Sequence, residues 1–402
     1  MNEQVMNPPA GGISRRAVLQ SITGLAAAAA LPASLRSLAA AAEPAKSINP
    51  GWFGFNLLEY FSTDPDWMQH FPYKDDGMFR EDDFKWMSGW GFNWVRLPMD
   101  YRFWTDPNDP MKINEKMVEP IDRAIKLGEK YGVHVNVSLH RAPGFCILDG
   151  GDHKAWGIRI TTEKTSLYTD KSAQDAFVYQ WTYFAERYKG ISSQKVSFNL
   201  VNEPIDTVNG KPAPDGEKRY ARVARAAIDA IRAKDRNRLI VTDGYRVGTE
   251  PIPELFDTGI MQSCHDYKPG EVTHYHAEWA RPASMNYRYP TWPEKDASGK
   301  VIADRQTIQN DFRAWAGLAQ HGIPIHFGEM GCNRYTPPKV VYAWFNDALD
   351  MIHGLHSGWA LWNFRGPFGI LDTNRAGTEY TGFHGHHLDS TLLKILQAKM
   401  KA

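Results

Sequence analysis

Trp94-Val95-Arg96-Leu97-Pro98 and Val133-His134-Val135-Asn136-Val137-Ser138-Leu139-His140 are two short, largely apolar runs. Between them Met117, Ile121, Ala124, Ile125 and Gly128 recur at helical spacing, and Tyr131-Gly132 ends the pattern. A period near 3.6 between two buried runs reads as strand, helix, strand. Gly at a helix stop tolerates the positive φ that such an ending uses. One unit of this kind predicts a parallel strand pair joined by a crossover helix.

Working outward, the same rhythm continues. The apolar or alternating runs are Phe53–Leu58, Trp94–Pro98, Val133–His140, Val196–Glu203, Leu239–Asp243, Met261–Tyr267, Pro324–Met330 and Gly358–Phe364. Val, Ile, Phe, Trp and Leu dominate them, as strands covered on both faces require. Further helical stripes are Phe177, Trp181, Phe184 and Tyr188; Val223, Ile228 and Ile231; Ile308, Phe312, Trp315 and Ala319; and Val341, Phe345, Leu349 and Ile352. His321-Gly322 and Ser357-Gly358 repeat the glycine stop. Eight such units predict a single (β/α)₈ TIM barrel of the α/β class. The alternative is an open doubly wound sheet. No Gly-rich phosphate fingerprint follows the first strand, which favours the barrel. Two connections, Arg141–Ser172 and Lys268–Ala303, are long and leave the C-terminal ends of strands, where loops this long are usually functional.

The N-terminus reads differently. Ser14-Arg15-Arg16-Ala17-Val18-Leu19 precedes a weakly apolar, Ala-rich stretch and then Ala39-Ala40-Ala41-Ala42. The apolar run is shorter than the ~18–20 residues a membrane span needs. Residues 1–42 are therefore expected to be a twin-arginine-like signal peptide, removed on export to the periplasm or beyond. Residues 43–402 remain as one domain, expected to be a monomer with no membrane attachment after cleavage.

Composition narrows the function. Of 402 residues, Lys+Arg and Asp+Glu number 46 each, so the formal net charge is zero. That argues against a general nucleic-acid binder, whose affinity rests on excess positive charge. Three cysteines do not make a disulfide scaffold, and none sits in a zinc-spaced pattern. Cys146, Cys264 and Cys332 are expected to be buried free thiols. The 14 Trp suit either core filling or stacking on sugars. No cofactor and no metal is expected. His384-Gly385-His386-His387 lacks an acid at helical spacing and reads as a C-terminal loop, and Asp149-Gly150-Gly151-Asp152 fails calcium-loop spacing.

A barrel displays chemistry at its strand C-termini. The last residues of the runs are Arg96, His140, Asn202, Glu203, His265, Tyr267, Glu329 and Trp362. Glu203 and Glu329 each follow an apolar strand, where burying a lone charge is costly, so each should face a polar cavity. Two carboxylates across a barrel mouth suit glycosidic bond cleavage: one protonates the leaving oxygen and the other attacks the sugar carbon. Surface ion pairs are the plainer reading of each glutamate alone. Trp362 offers a flat face to a sugar ring, with core packing as its alternative, while Trp359 reads as a core residue. Trp156, Trp279 and Trp292 lie in the long loops and would either extend the sugar site or cap the barrel.

From Phe53 to Phe364 the chain resembles glycoside hydrolase family 5, the cellulase family of the clan A retaining glycosidases. The resemblance is carried by Gly91-Phe92-Asn93-Trp94-Val95-Arg96-Leu97-Pro98, His140-Arg141-Ala142-Pro143-Gly144, Asn202-Glu203-Pro204, His265-Asp266-Tyr267, Gly328-Glu329 and Trp362, in order and at strand ends. It implies a double-displacement mechanism with Glu203 as acid/base and Glu329 as nucleophile. Arg96 and Tyr267 would support Glu329, Asn202 would bond the sugar 2-hydroxyl, His140 and His265 would bind hydroxyls or position Glu203, and Trp362 would be a sugar platform. The expected substrate is a β-linked oligo- or polysaccharide, with endo-β-1,4-glucanase first and β-mannanase or an exo-acting β-glucosidase as alternatives. A non-catalytic sugar-binding barrel would need a lost carboxylate, and both are present. A metal-dependent barrel hydrolase would need His-x-His on the first strand, which here reads Phe53-Gly54-Phe55-Asn56-Leu57. Arg141 and Lys268 depart from the family pattern and raise an anionic or decorated substrate.

Overall fold

The computed structural model describes residues 51–63, 79–147, 152–153, 158–159, 163–277, 280 and 287–401. The expected signal segment, Asp149 to Gly151, Trp156 and Trp279 lie outside these residues.

Eight parallel strands close on themselves. They are β1 (Phe53–Asn56), β2 (Trp94–Asp100), β3 (His134–Ala142), β4 (Val196–Asn199), β5 (Leu239–Asp243), β6 (Met261–Asp266), β7 (Ile325–Met330) and β8 (Gly358–Leu361). Each pairs with the next, and β8 returns to β1 with Phe53 opposite Trp359. Every residue of β2 and β3 is buried, because strand interiors and covering helices leave neither face to water. The longer helices are α1 (Glu81–Gly89), α2 (Glu115–Tyr131), α3 (Lys171–Arg187), α4 (Gly216–Lys234), α5 (Arg305–Asp311), α6 (Arg313–Gln320), α7 (Pro338–Gly354) and α8 (Ser390–Lys401), with single turns at Tyr245–Gly248 and Gly270–Thr273. A 3₁₀ turn, Pro253–Thr258, stands between β5 and β6.

The stripe Ile308, Phe312, Trp315 and Ala319 is split, since α5 ends before Phe312 and α6 starts after it. The buried face runs on across the break, so periodicity alone does not reveal it. α2 stops as expected, with Gly132 left-handed at φ 68°. The stop before β8 is different. His356 takes the positive φ, and Gly358 is a strand residue where a Cβ would fall 2.1 Å from the Trp52 carbonyl oxygen. That glycine answers to close backbone approach rather than to helix ending.

The N-terminal end of the barrel is plugged by Trp52, Trp94, Val241, Met261 and Ala360. His134 stacks on Trp94 at 4.4 Å, and His326 lies 4.7 Å from the same ring. Burial pushes His134 down to about 3 and His326 down to about 4, so both are neutral near pH 7.

Candidate functional site

The polar residues at the other end converge. Arg96 near the middle of β2 is buried, and its guanidinium donates in five directions. Nε reaches Asn199 Oδ1 at 2.8 Å; Nη1 reaches Asn56 Oδ1 at 3.0 Å and Glu329 Oε1 at 2.6 Å; Nη2 reaches Asn202 Oδ1 at 2.9 Å and Asp243 Oδ2 at 3.3 Å. A planar fork that is always charged suits such a buried hub.

Glu329 is brought in by an irregular strand. β7 slips register against β6 and again against β8 around Gly328-Glu329. An extra residue of this kind re-aims the side chain beside it. Gly328 has no room for a Cβ, which would lie 2.4 Å from Ser263 Oγ. The Tyr267 hydroxyl donates to Glu329 Oε2 at 3.1 Å. Burial raises the Glu329 pKa, with the Glu203 and Asp243 charges acting the same way; His265 and Arg96 oppose it.

Glu203 lies beyond β4, which ends at Asn199, so the run read to Glu203 is strand only in its first half. The chain bends there, and Glu203 has φ 47°. Its carboxylate meets His265 Nδ1 at 3.0 Å. His265 Nδ1 is also 3.6 Å from Glu329 Oε2, and Nε2 is 3.2 Å from Asp243 Oδ2. Burial alone would lower the His265 pKa, but the Asp243 and Glu329 charges carry it up to about 10. Burial would likewise raise Asp243, yet His265 and Arg96 hold it well below the usual carboxylate range.

Among the described residues, ligand atoms of Glu203, His265 and Glu329 all lie within 4.8 Å of one another. A cation there would need a lone pair from His265, in competition with the proton that the Asp243 and Glu329 charges favour on that ring. Arg96 already faces Glu329.

Of the residues read from strand ends, Arg96, Asn202, Glu203, His265, Tyr267 and Glu329 form one connected cluster. His140 and Trp362 stand beside each other as a second pair, rings 5.6 Å apart and 24° from parallel. Trp362 is half-buried just past β8, whereas Trp359 is fully buried in the core. Three partners were not singled out from the sequence: Asn56, Asn199 and Asp243. Asp243 ends its run as the others do, and the two asparagines are polar residues within apolar runs.

The loop readings resolve variously. Trp292 donates to Asp347 Oδ2 on α7 at 2.8 Å and packs on the core. Cys146, Cys264 and Cys332 are all buried, Cys264 and Cys332 as free thiols. His386 pairs with Asp372 at 2.7 Å on a hairpin made of Thr381–Phe383 and His386–Leu388. Arg141 is buried, 3.4 Å from Glu163 and 3.7 Å from Asp100, and Lys268 lies 3.3 Å from Asp311. Both cations are answered by the protein's own acids, which removes the reason to expect an anionic substrate.

The chain matches a family model described as Cellulase (glycosyl hydrolase family 5) over residues 43–366. A crystal structure of a glycoside hydrolase is 34% identical with TM-score 0.74, covering 87% of this chain and 99% of that one. Endoglucanase C of Acetivibrio thermocellus is 22% identical over 313 residues, 72% of this chain and 85% of its own. Cellodextrinase A of Ruminococcus flavefaciens is 26% identical over 292 residues, 69% and 77% respectively.

Proposed function

Because this chain belongs to the cellulase family, glycoside hydrolase family 5, whose members are retaining O-glycosyl hydrolases, we propose that Glu329 is its nucleophile and Glu203 its acid/base. The observation that carries this reading is the approach of the two carboxylates, one oxygen of each lying within 4.8 Å of the other, with His265 Nδ1 between them. Retaining enzymes hold their pair about 5–5.5 Å apart, and inverting ones leave ~6.5–9.5 Å for a water between.

Glu329 attacks the anomeric carbon while Glu203 gives its proton to the departing oxygen. Water then releases the sugar with Glu203 as base. Donors from Arg96 and Tyr267 favour the Glu329 carboxylate. Two buried cations, Arg96 and His265, face three buried acids, Asp243, Glu203 and Glu329. In the acid role the proton to be transferred sits on Glu203. Asn202 has its Oδ1 held by Arg96, while its buried Nδ2 has no partner among the described residues. That amide would bond the sugar 2-hydroxyl, a contact that strengthens in the transition state. Trp362 would carry the ring, with His140 binding a neighbouring hydroxyl.

The substrate we infer is a β-linked glucan or its oligosaccharides, cleaved as by an endo-β-1,4-glucanase. Relatives named endoglucanase and cellodextrinase support it. The Arg15-Arg16 signal supports export to the periplasm or beyond. A panel of β-glucans, mannan, xylan and aryl glycosides tests the glycan: turnover of mannan alone would replace the glucan reading.

Azide tests the roles. Glu203→Ala should lose natural glycans by about 10²–10⁴-fold, yet react with an activated aryl glycoside and turn over to a β-azide product. Glu329→Gln should be inert with all substrates. Rescue to a β-azide in a Glu329 variant, and not in Glu203→Ala, would reverse the assignment.

A further inference from the structure

Asp243 closes β5, and no step above uses it. Its carboxyl is fully buried. Oδ1 accepts the Asn199 amide at 2.9 Å. Oδ2 accepts the Glu203 backbone N–H at 3.1 Å and an Arg96 N–H at 3.3 Å, and lies 3.2 Å from His265 Nε2. The far nitrogen of that ring faces Glu203 at 3.0 Å and Glu329 at 3.6 Å. His265 therefore has one acid behind it and two in front.

A neutral imidazole would turn a lone pair toward an oxygen on one of these sides, whereas the doubly protonated ring sets positive charge against both, hydrogen-bonding Glu203 through Nδ1 and standing in ion-pair contact with Asp243 through Nε2. The Glu203 main chain also needs a hold. Its φ of 47° lies in the left-handed region, where a side chain crowds the backbone. The N–H that Asp243 accepts belongs to that same residue. We propose that Asp243 is a positioning residue for proton transfer: it keeps His265 an imidazolium aimed at the Glu203–Glu329 pair and pins the Glu203 main chain in its left-handed bend. The proposal rests on reading Glu203 as the acid/base.

The groups facing His265 are Asp243 from β5, Glu203 after β4 and Glu329 from β7. Arg96 of β2 stands beyond Asp243 and Glu329, Tyr267 of β6 beyond Glu329, and His326 lower on β7 is kept neutral by burial. Asp243 is the acid whose charge raises the ring most.

The test is Asp243→Asn, with Asp243→Ser as a second neutral variant that sets no amide donor against Arg96. Asp243→Glu keeps the charge. Nitrogen NMR of the His265 ring reads protonation without activity. In the unaltered protein the ring should stay doubly protonated from pH 6 to pH 9. In the neutral variants its titration should fall by on the order of one unit or more, and in Asp243→Glu it should stay high. Turnover of a glycoside with a poor leaving group should fall about tenfold or more, with its basic limb moved to lower pH. Glycosylation by a dinitrophenyl glycoside, which needs no proton, should fall less. In a His265→Gln background the Asp243 change should add little. An unshifted ring titration overturns the proposal, as does a loss equal at every pH and for both leaving groups. Azide rescue decides the Glu203 reading separately, because the ring titration does not depend on it.

Discussion

Arg96 Nη1 and Glu329 Oε1 meet at 2.6 Å, an ion pair between β2 and β7 with both side chains almost wholly shielded from water. In that setting the guanidinium neutralises a carboxylate and also fixes its orientation.

Arg96→Lys should keep the charge and lose the fork. A lysine reaches one or two of the five acceptors that Arg96 holds. Activity should drop by about 10²-fold or more, as expected when a reacting group is misplaced by ~1 Å. Arg96→Ala should in addition cost about 3–5 kcal/mol of stability by leaving buried acid uncompensated. Steady-state kinetics and denaturant unfolding separate the two effects.

Stability should depend on pH through His265. Its folded pKa is raised, to about 10, against about 6.5 unfolded. The stabilisation is therefore complete below ~6.5 and is lost as pH rises through about 10. Asp243 has the opposite sign: its contribution is present above its ordinary value near 3.9 and is lost in acid as pH falls towards its depressed folded value. Unfolding free energies from pH 6 to pH 10.5 should decline in the unaltered protein and more weakly in His265→Gln. Parallel curves would rule out the charged ring.

Gly358→Ala should destabilise by about 2–4 kcal/mol, the range of a severe steric insertion in a packed interior. The added carbon would sit 2.1 Å from the Trp52 carbonyl oxygen, at the β8–β1 seam. Gly382→Ala, on the outer hairpin with open space around it, serves as the control and should change stability little.

Replacing Arg15 and Arg16 by Lys should trap precursor inside the cell if export follows the twin-arginine route. Fractionation with antibody detection measures it. Undiminished export would point to the general secretory path.

All eight strands and five of the six cluster residues were legible because one rule, polar residues ending apolar runs, finds side chains at a barrel mouth; Arg96, read as a strand end, lies near the middle of β2 and stands out instead as a charge inside an apolar run. Asp243 obeys that rule, but an aspartate before Gly244 also reads as an ordinary turn residue. Asn56 and Asn199 are hidden for another reason: a strand's sequence does not say which of its faces looks inward at a given height. The bend at Glu203 and the slip at Gly328 were illegible because both arise from pairing with neighbouring strands. Helices α1 and α8 went unread: α1 buries only three residues in a mostly polar stretch, and α8, with Leu392, Leu393 and Leu396 buried, lies beyond the last strand of the repeating pattern.

The Arg96 hub also sets how the molecule divides. Asn56, Arg96, Asn199, Asn202 and Glu203 all come from the first four strand–helix units, and Asp243, His265, Tyr267 and Glu329 from the last four. Arg96 meets acids only from the second group, and Glu203 meets its cation there too. A first half alone would hold a guanidinium among asparagines, and a second half alone would hold two acids with one imidazole between them. Neither is a smaller version of the whole. The chain is two complementary pieces whose charges make sense only when joined, so a cut between Glu203 and Asp243 leaves partners that should reassemble with each other rather than with themselves.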